Sequence, residues 1–347
     1  MTRSNAPRRP TLREVAHEAG TSLKTASRVV NGEGGVSDTL TARVEEAVAK
    51  LGYSPDSRAR DLRSGSAPTG AFGFLQNDVA NPFFAGIFRG LDDVATASGR
   101  VVLSGSSQGE QELQTKILRS FIERRVDGLV VVPVGSDLAV LEIEAARGTP
   151  VVFVDLMPSK LIGDVVLTDH YRGSVEAVTH LISSGHRRIA FIGDRPAYYS
   201  ASERLRGYEA ALTSAAIELD PNLIVRDAGT FEIAEAEARR LLDLDQPPTA
   251  LFTAQNFVSI GALKALHRTG NSHRVAMVGF DDIENADILD PGLTVVTQHP
   301  RELGKRATEM LLRRLDGYTG PPEISKLDAN LIRRGSGELT PPSLSLI

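Results

Sequence analysis

The 347-residue sequence predicts an α/β protein, in which a helix-turn-helix head of three helices and a further short helix precede a two-lobed body of doubly wound parallel sheets. Three observations predict this class. Short helical patterns rich in small apolar residues fill residues 11–51. From residue 69, continuous apolar runs alternate with amphipathic helix patterns, as in parallel sheets covered on both faces. The remaining residues number about 270, which is more than a single hydrophobic core usually serves, so two stacked lobes are expected.

The head begins with a capping box, in which Thr11 and Glu14 satisfy each other's free backbone N–H groups. A short helix follows and ends at Gly20, which tolerates a left-handed conformation. Ser22 is then placed to cap a second helix that runs to about residue 31, and a third helix is predicted over residues 37–51. Two short helices across a tight turn, supported by a third, predict a helix-turn-helix. The pattern alone fits DNA binding and a plain protein-interaction module equally well.

The body is justified by nine apolar runs, each of which predicts a strand. They cover residues 71–75, 101–103, 129–132, 151–154, 165–167, 189–192, 223–225, 250–252 and 275–278. Between the first two runs, Asn81 can cap a helix that has Pro82 in its first turn. The predicted buried face of that helix comprises Phe84, Ile87, Phe88, Leu91 and Val94.

Composition narrows the function classes. The chain has no cysteine, which excludes disulfides, thiolate zinc sites and a cysteine nucleophile. We see no apolar run of the ~20 residues that a membrane helix needs, and no signal peptide, so a cytoplasmic protein without membrane contact is expected. The net charge is −5, but residues 1–65 carry +3 and the remainder −8. This asymmetry suggests that only the head meets a polyanion, although a solvated charged surface would look the same.

Three segments of the head carry a specific resemblance: TLREVAHEAG (11–20), SLKTASRVVN (22–31) and LGYSP (51–55). They resemble the DNA-binding head of the lactose-repressor (LacI/GalR) family. The resemblance implies that base-reading positions fall on Leu23, Lys24 and Arg28. Lys24 and Arg28 can donate to guanine, whereas Leu23 can only make apolar contacts. The remaining DNA-binding candidates are polar groups suited to phosphates, namely Thr11, Ser22, Thr25, Ser27 and Asn31.

The segment after the head is a short helix pattern over residues 56–63. The resemblance implies that it is a hinge helix that folds on DNA and pairs with its twin in a dimer. It also implies that Leu62 wedges between bases of the minor groove and that Ala59 faces the twin hinge. Arg58 is expected on nearby phosphates. We therefore expect a DNA-binding domain at 11–55, a hinge helix and linker at 56–68, and an effector-binding and dimerisation domain at 69–340.

Motifs in the body extend the resemblance to the family's effector domain, which is itself similar to type I periplasmic binding proteins. They are NPFF (81–84), RVDG (125–128), GHRR (185–188), ERLRGY (203–208) and VGFDD (278–282). The resemblance implies an N-lobe of about 69–168 plus 300–326 and a C-lobe of about 169–299 plus 327–340. It also implies a set of effector contacts at Asp78, Phe84, Tyr198, Arg204, Phe231, Gln255 and Asp281.

Asp78, Gln255 and Asp281 come after predicted strands, where ligands of such sheets bind, and aromatic residues are expected nearby. Carboxylates, amides and aromatic rings together suit a polyhydroxylated ligand. Any single one of these residues could equally be a strand-end turn or a helix cap. Gln255-Asn256 departs from the family's usual Asn-Asp, so no particular sugar can be transferred by analogy.

An enzyme signal is weak. Residues 105–109 fit G-x-S-x-G with Ser107 at its centre, but no second motif supports a nucleophile. Structural roles are expected for His180 and His186. No cofactor, no metal and no enzymatic activity are expected.

The sequence therefore predicts a dimeric transcriptional regulator, most simply a repressor. Its partners are expected to be near-palindromic double-stranded operator DNA and a small-molecule effector, with a sugar or nucleoside favoured over a phosphorylated metabolite. The alternative is a solute-binding receptor without a DNA role.

Overall fold

The computed structural model describes residues 10–53 and 68–342. The chain divides into two compact units, residues 1–69 and 70–347, which we call the head and the body. Residues 1–9 and the predicted hinge helix, with Arg58, Ala59 and Leu62, lie outside the described residues. The same holds for residues 343–347.

The described part of the head contains helices α1 (Leu12–Glu18), α2 (Leu23–Val30) and α3 (Asp38–Leu51). The capping box of α1 is present, with the Thr11 N–H donating to Glu14 Oε2 at 2.6 Å. Ser22 caps α2 by accepting the Thr25 N–H at 3.1 Å. The helices pack through small side chains, which allow close approach. Their buried core is Val15, Ala16, Ala19, Ala26, Val44 and Ala47.

The first sheet of the body has the strand order β11-β5-β4-β3-β1-β2, and all its neighbouring strands pair in parallel. Its strands are β1 (Ala71–Gln76), β2 (Val101–Ser106), β3 (Gly128–Val131), β4 (Val151–Val154), β5 (Asp164–Thr168) and β11 (Ile324–Leu327). Helices α4 (Pro82–Ala97), α5 (Gln111–Glu123), α6 (Ala139–Ala146) and α11 (Pro300–Leu315) belong to the same lobe. Asn81 caps α4 as predicted, although Phe88 and Val94 are only half-buried.

The second sheet has the order β12-β10-β9-β8-β6-β7. Its strands are β6 (Ile189–Ile192), β7 (Ile224–Val225), β8 (Ala250–Thr253), β9 (Ala276–Phe280), β10 (Thr294–Thr297) and β12 (Asn330–Ile332), and only the β10–β12 pair is antiparallel. Its helices are α7 (His170–Ser183), α8 (Tyr199–Ser214), α9 (Phe231–Leu242) and α10 (Asn256–Arg268). The predicted fold class is confirmed; β10, β11 and β12 were not predicted.

The chain passes between the two sheets three times. It leaves the first sheet after β5, returns from β10 into α11, and leaves again between β11 and β12. In the first lobe α4 and α11 pack with their backbones almost touching, since a Cβ on Gly90 would lie 1.9 Å from the Arg301 carbonyl oxygen. No helix among the described residues is long and apolar enough to span a bilayer.

Candidate functional site

A cavity of about 550 Å³ lies in the body, where the carboxyl ends of strands from both sheets face each other. This volume is within the usual range for small-molecule sites. The structure brings together on its wall six of the seven predicted effector contacts, namely Asp78, Phe84, Tyr198, Arg204, Gln255 and Asp281. The resemblance implied all of these contacts, and three of them, Asp78, Gln255 and Asp281, also come just after strands β1, β8 and β9.

Phe231 is the seventh predicted contact, and it does not line the cavity. It is the first residue of α9, and its ring packs on Phe257 with centroids 4.6 Å apart. Phe257, at the start of α10, presents the aromatic surface instead. The sequence could not distinguish the two rings, because both begin a helix that follows a strand.

Arg204 is 4% exposed and is held on several sides. Its Nη1 donates to the Ala254 carbonyl oxygen at 2.6 Å, and its Nε and Nη2 lie 3.4 and 3.3 Å from Nδ1 of His170. The guanidinium also lies over the Phe280 ring, with Cζ 4.0 Å from the centroid. A guanidinium has five N–H donors, so this arrangement leaves donors for a ligand in the cavity.

Two carboxylates sit opposite this cation on strained backbone. Asp155 directly follows β4 and Asp281 directly follows β9, and both have positive φ, 71° and 72°. Residues other than glycine pay a cost there, and such strain clusters at functional sites. Burial raises the pKa of Asp155 to about 7; Arg204 opposes the rise, while Asp281 and Asp194 add to it. Burial also raises the pKa of Asp194, against a hydrogen bond from the Arg195 backbone.

Two glutamines on the cavity wall already use part of their side-chain amides in hydrogen bonds within the protein. Gln255 uses Oε1 to cap α10, accepting the N–H groups of Phe257 at 2.6 Å and Val258 at 3.1 Å. Gln298 donates through Nε2 to Asp281 Oδ1, while its Oε1 is buried without a partner among the described residues. Gln298 was not predicted, because β10, the strand that it follows, was not recognised. Its unpaired oxygen is an acceptor that a ligand hydroxyl or amine can satisfy.

The two lobes are joined across this region by an amide pair. Asn256, the first residue of α10, donates through Nδ2 to Oδ1 of Asn81 at 2.8 Å. Both side chains are buried, and Asn81 Oδ1 also accepts the Phe83 N–H at 3.0 Å. The departure noted at residue 256 thus places an N–H donor where an aspartate would place a carboxylate oxygen.

Ser107, the serine of the G-x-S-x-G pattern, lacks the environment that a nucleophilic serine needs. Ser107 is fully buried, and its hydroxyl donates to the Gln76 carbonyl oxygen and Asn77 Oδ1, both at 3.2 Å. A nucleophile elbow requires an exposed hydroxyl next to a base. His180 pairs with Glu338 at 2.7 Å, and His186 bridges Thr249 Oγ1 and the Leu339 carbonyl oxygen. Burial lowers the pKa of His186.

The candidate DNA-reading side chains differ in how free they are. Leu23 and Lys24 open α2 and are exposed, Leu23 by 47%. Arg28, in the last turn of α2, donates to the Gly34 carbonyl oxygen and lies 4.0 Å from a Glu33 carboxylate oxygen. Arg28 must therefore leave the loop after α2, or share its donors with it, to reach a base.

Of the phosphate candidates, Thr11, Ser22 and Asn31 flank helices, whereas Thr25 and Ser27 lie within α2 and are half-buried. Thr11 and Ser22 use their hydroxyls as caps, and the Thr25 hydroxyl lies 2.9 Å from that of Ser22. Asn31 is exposed after α2 and donates to the Ser27 hydroxyl at 3.3 Å. The caps leave further N–H groups of each first turn unpaired by the helix, which is the usual way that a helix end holds phosphate.

Comparisons with known proteins agree with this architecture. Residues 11–56 match the model for bacterial regulatory proteins of the lacI family, and residues 178–337 match a periplasmic binding protein-like domain. The ribose operon repressor of Haemophilus influenzae is 32% identical over 307 residues, which cover 88% of this chain and 92% of that protein. The chain belongs to the LacI family. The predicted family is thus confirmed, and this LacI-family chain is a DNA-binding transcriptional regulator.

Solved structures of LacI-family proteins give the same result. The lac repressor dimer bound to operator and the anti-inducer ONPF superposes with a TM-score of 0.84 at 26% identity, covering 95% of this chain and 99% of that chain. A LacI-family regulator from Enterococcus faecium with bound ribose gives a TM-score of 0.69 at 25% identity, covering 78% and 99% respectively. The matches give no support to a solute receptor without a DNA role.

Proposed function

We propose that this regulator is an operator-binding repressor whose affinity for DNA is set by a neutral, polyhydroxylated small molecule, a sugar or a nucleoside, bound in the body cavity. The observation that carries the proposal is the unpaired, buried Oε1 of Gln298 beside Asp281 and Arg204 on the cavity wall. Together these three side chains offer acceptors and donors to vicinal hydroxyls. The bound ribose of the Enterococcus faecium regulator supports a ligand of this chemistry.

The charge of the wall argues against a phosphorylated ligand. Five carboxyl groups line the cavity, at Asp78, Asp155, Asp194, Asp227 and Asp281, against two guanidiniums, at Arg195 and Arg204, and a negative excess remains even though Asp155, with a pKa of about 7, is half protonated at neutral pH. A phosphate would meet this negative excess at close range, where Coulomb repulsion is weakly screened. A neutral ring with hydroxyl groups faces no such cost.

A thermal-shift screen tests the ligand class, because a ligand of the native state raises its melting temperature. D-ribose, D-glucose, cellobiose, adenosine, cytidine and D-ribose 5-phosphate form the panel. We expect at least one neutral member to raise Tm and the phosphosugar to give no shift. A shift by the phosphosugar alone would contradict the proposed class.

The head is proposed to read the operator through Leu23, Lys24 and Arg28, with phosphates held by Thr11, Ser22, Thr25, Ser27 and Asn31. The hinge candidates Arg58, Ala59 and Leu62 remain part of the proposal. Selection of bound DNA from a random 30-mer pool should return a near-palindrome, since a twofold dimer imposes symmetry on its site. A selected sequence without any symmetry would contradict a dimeric reader.

Lys24 and Arg28 can be tested as base readers with that selected operator. Lys24→Ala should relax preference at one base step, by about 1–3 kcal/mol. Equal loss on all sequences would make it a phosphate contact instead. Glu33→Gln removes the acid beside Arg28 and should tighten DNA binding, because Arg28 is then freer to leave its loop.

We propose a DNA-binding domain at residues 11–55, a hinge helix and linker at 56–68, and an effector-binding domain at 69–340. The body is proposed to carry the dimer contacts. We expect the protein to act in the cytoplasm. We also expect it to turn over no ligand, since the Ser107 hydroxyl donates to a backbone oxygen and an amide oxygen. Mass spectrometry of a panel sugar after long incubation should recover it unchanged. Sedimentation of the full chain should give twice the monomer mass.

A further inference from the structure

His170 is a buried group that neither the motifs nor the proposed contacts include. It is the first residue of α7 and is 1% exposed, and it does not line the cavity. Its Nδ1 lies 3.4 Å from Nε and 3.3 Å from Nη2 of Arg204. A guanidinium has only donors, so Nδ1 must be the acceptor and carry no proton. The ring proton of neutral His170 is then on Nε2.

The same contacts fix the plane of the Arg204 guanidinium. The His170 nitrogen meets one edge, the Ala254 carbonyl oxygen meets Nη1 at 2.6 Å, and the Phe280 ring lies below at 4.0 Å. His170 itself packs on the Phe280 ring, with centroids 5.7 Å apart. The four groups therefore form one packed unit behind the cavity wall, and rotation of Arg204 would break several contacts together.

A neutral acceptor has a consequence that an acid would not have. A carboxylate in this place would orient Arg204 but also neutralise it, and so weaken its attraction for ligand oxygens. His170 orients the guanidinium and leaves its charge to be balanced from the cavity side, where Asp194 and Asp281 lie.

We propose that His170, held neutral with its proton on Nε2, is the positioning residue of the small-molecule site, because it orients Arg204 without neutralising it. This inference rests on the proposed function, since it names what the site needs to bind a polyhydroxylated ligand. His170 touches no ligand; it acts through Arg204.

The groups around His170 keep it in this form. Arg204 faces it from α8 and Lys326 acts from β11, whereas the backbone of Asp155, directly after β4, acts in the opposite direction and raises the pKa of His170. Burial lowers the pKa of His170 well below its ordinary value, and the charges of Arg204 and Lys326 lower it further. A protonated His170 would place a second cation against Arg204, with both ring nitrogens then donors.

The first test needs no ligand. Long-range ¹H–¹⁵N spectra are recorded on full-length protein with ¹⁵N-labelled histidine. The His170 signals are assigned as those that disappear in His170→Asn, and they should show the neutral Nε2–H tautomer from pH 8 down to pH 5.5. A His170 that carries its proton on Nδ1, or that titrates in this range like an exposed histidine, would overturn the proposal.

The second test uses three variants that separate orientation from packing. In His170→Asn the side-chain oxygen takes the place of Nδ1. His170→Gln carries the same amide but places it at the position of Nε2, and His170→Leu keeps volume without an acceptor. The Arg204 Nε–H resonance, assigned with Arg204→Lys, should stay sharp in wild type and His170→Asn and broaden in the other two.

Affinity for D-ribose, or for whichever neutral member of the panel shifts Tm most, is measured by calorimetry on the same proteins. We expect His170→Asn to stay within about threefold of wild type, and His170→Gln and His170→Leu to lose about tenfold or more, as for a hydrogen bond to a charged group. Equal Kd values in all four proteins would overturn the inference and leave the proposed function intact. If wild type binds no neutral panel member, the proposed function fails, while the two spectra still decide the state of His170 and its hold on Arg204.

Discussion

Asp155 offers a quantitative test of the cavity's electrostatics. The native pKa is about 7 against an ordinary value of 3.8, so between these limits the native state holds a proton that the unfolded state has released. Stability contributed by this group is therefore complete below about pH 4 and is lost as pH rises through 7. From pH 5 to pH 8 the loss amounts to about 2.6 kcal/mol at 1.36 kcal/mol per pKa unit.

Asp155→Asn removes this titration while keeping the shape of the side chain. The difference in unfolding free energy, variant minus wild type, should grow by about 2–3 kcal/mol between pH 5 and pH 8. Urea unfolding followed by far-UV circular dichroism measures it, which suits a chain without tryptophan. The matched change at exposed Asp316 is the control for the loss of one carboxylate. A difference for Asp155→Asn that is the same at both pH values, within about 0.5 kcal/mol, would refute the reasoning.

Two further changes probe the contacts that hold the body. Gly90→Ala forces a methyl group against the Arg301 carbonyl oxygen, so α4 and α11 must separate. We expect the free energy of unfolding, measured in urea, to fall by about 1–3 kcal/mol. An unchanged urea midpoint would show that the two helices separate freely. Asn256→Asp sets a carboxylate against Asn81 Oδ1 and should weaken ligand binding about tenfold, as one lost buried hydrogen bond implies. Calorimetry with the best panel ligand measures it, and undiminished affinity would show that this amide pair does not hold the lobes closed.

Complete burial made several strands easy to predict, but it does not separate every predicted strand from every missed one: β2 has no fully buried position and was predicted, whereas β10 is buried at three of its four positions and was not. β3, β4 and β6 are buried at every position, so each reads as an unbroken apolar run. β11 alternates exposed and half-buried residues, and β12 has only three residues at a sheet edge. β11 and β12 lack the apolar signal, and their pairing depends on residues far away in the chain.

A strand-end residue of the candidate site could be predicted only where the strand before it had been predicted. Asp281 follows a recognised strand, whereas Gln298 follows β10, so the same rule would have found Gln298 once β10 was known. His170 is different, because nothing local marks it. Its role arises from Arg204, which is 34 residues later in the chain and reaches it only through the packing of α7 against α8.

The three passages of the chain between the sheets bear on how the protein is made. Residues 300–327 supply α11 and the edge strand β11 of the first sheet, yet they follow nearly all of the second sheet in sequence. A nascent chain leaving the ribosome therefore carries an N-terminal lobe whose apolar flank stays uncovered until synthesis is almost complete. Ribosome-bound chains stalled before residue 300 should be strong clients for chaperones that recognise exposed apolar surface. Chains stalled on an added C-terminal linker, long enough to carry all 347 residues out of the ribosome, should not.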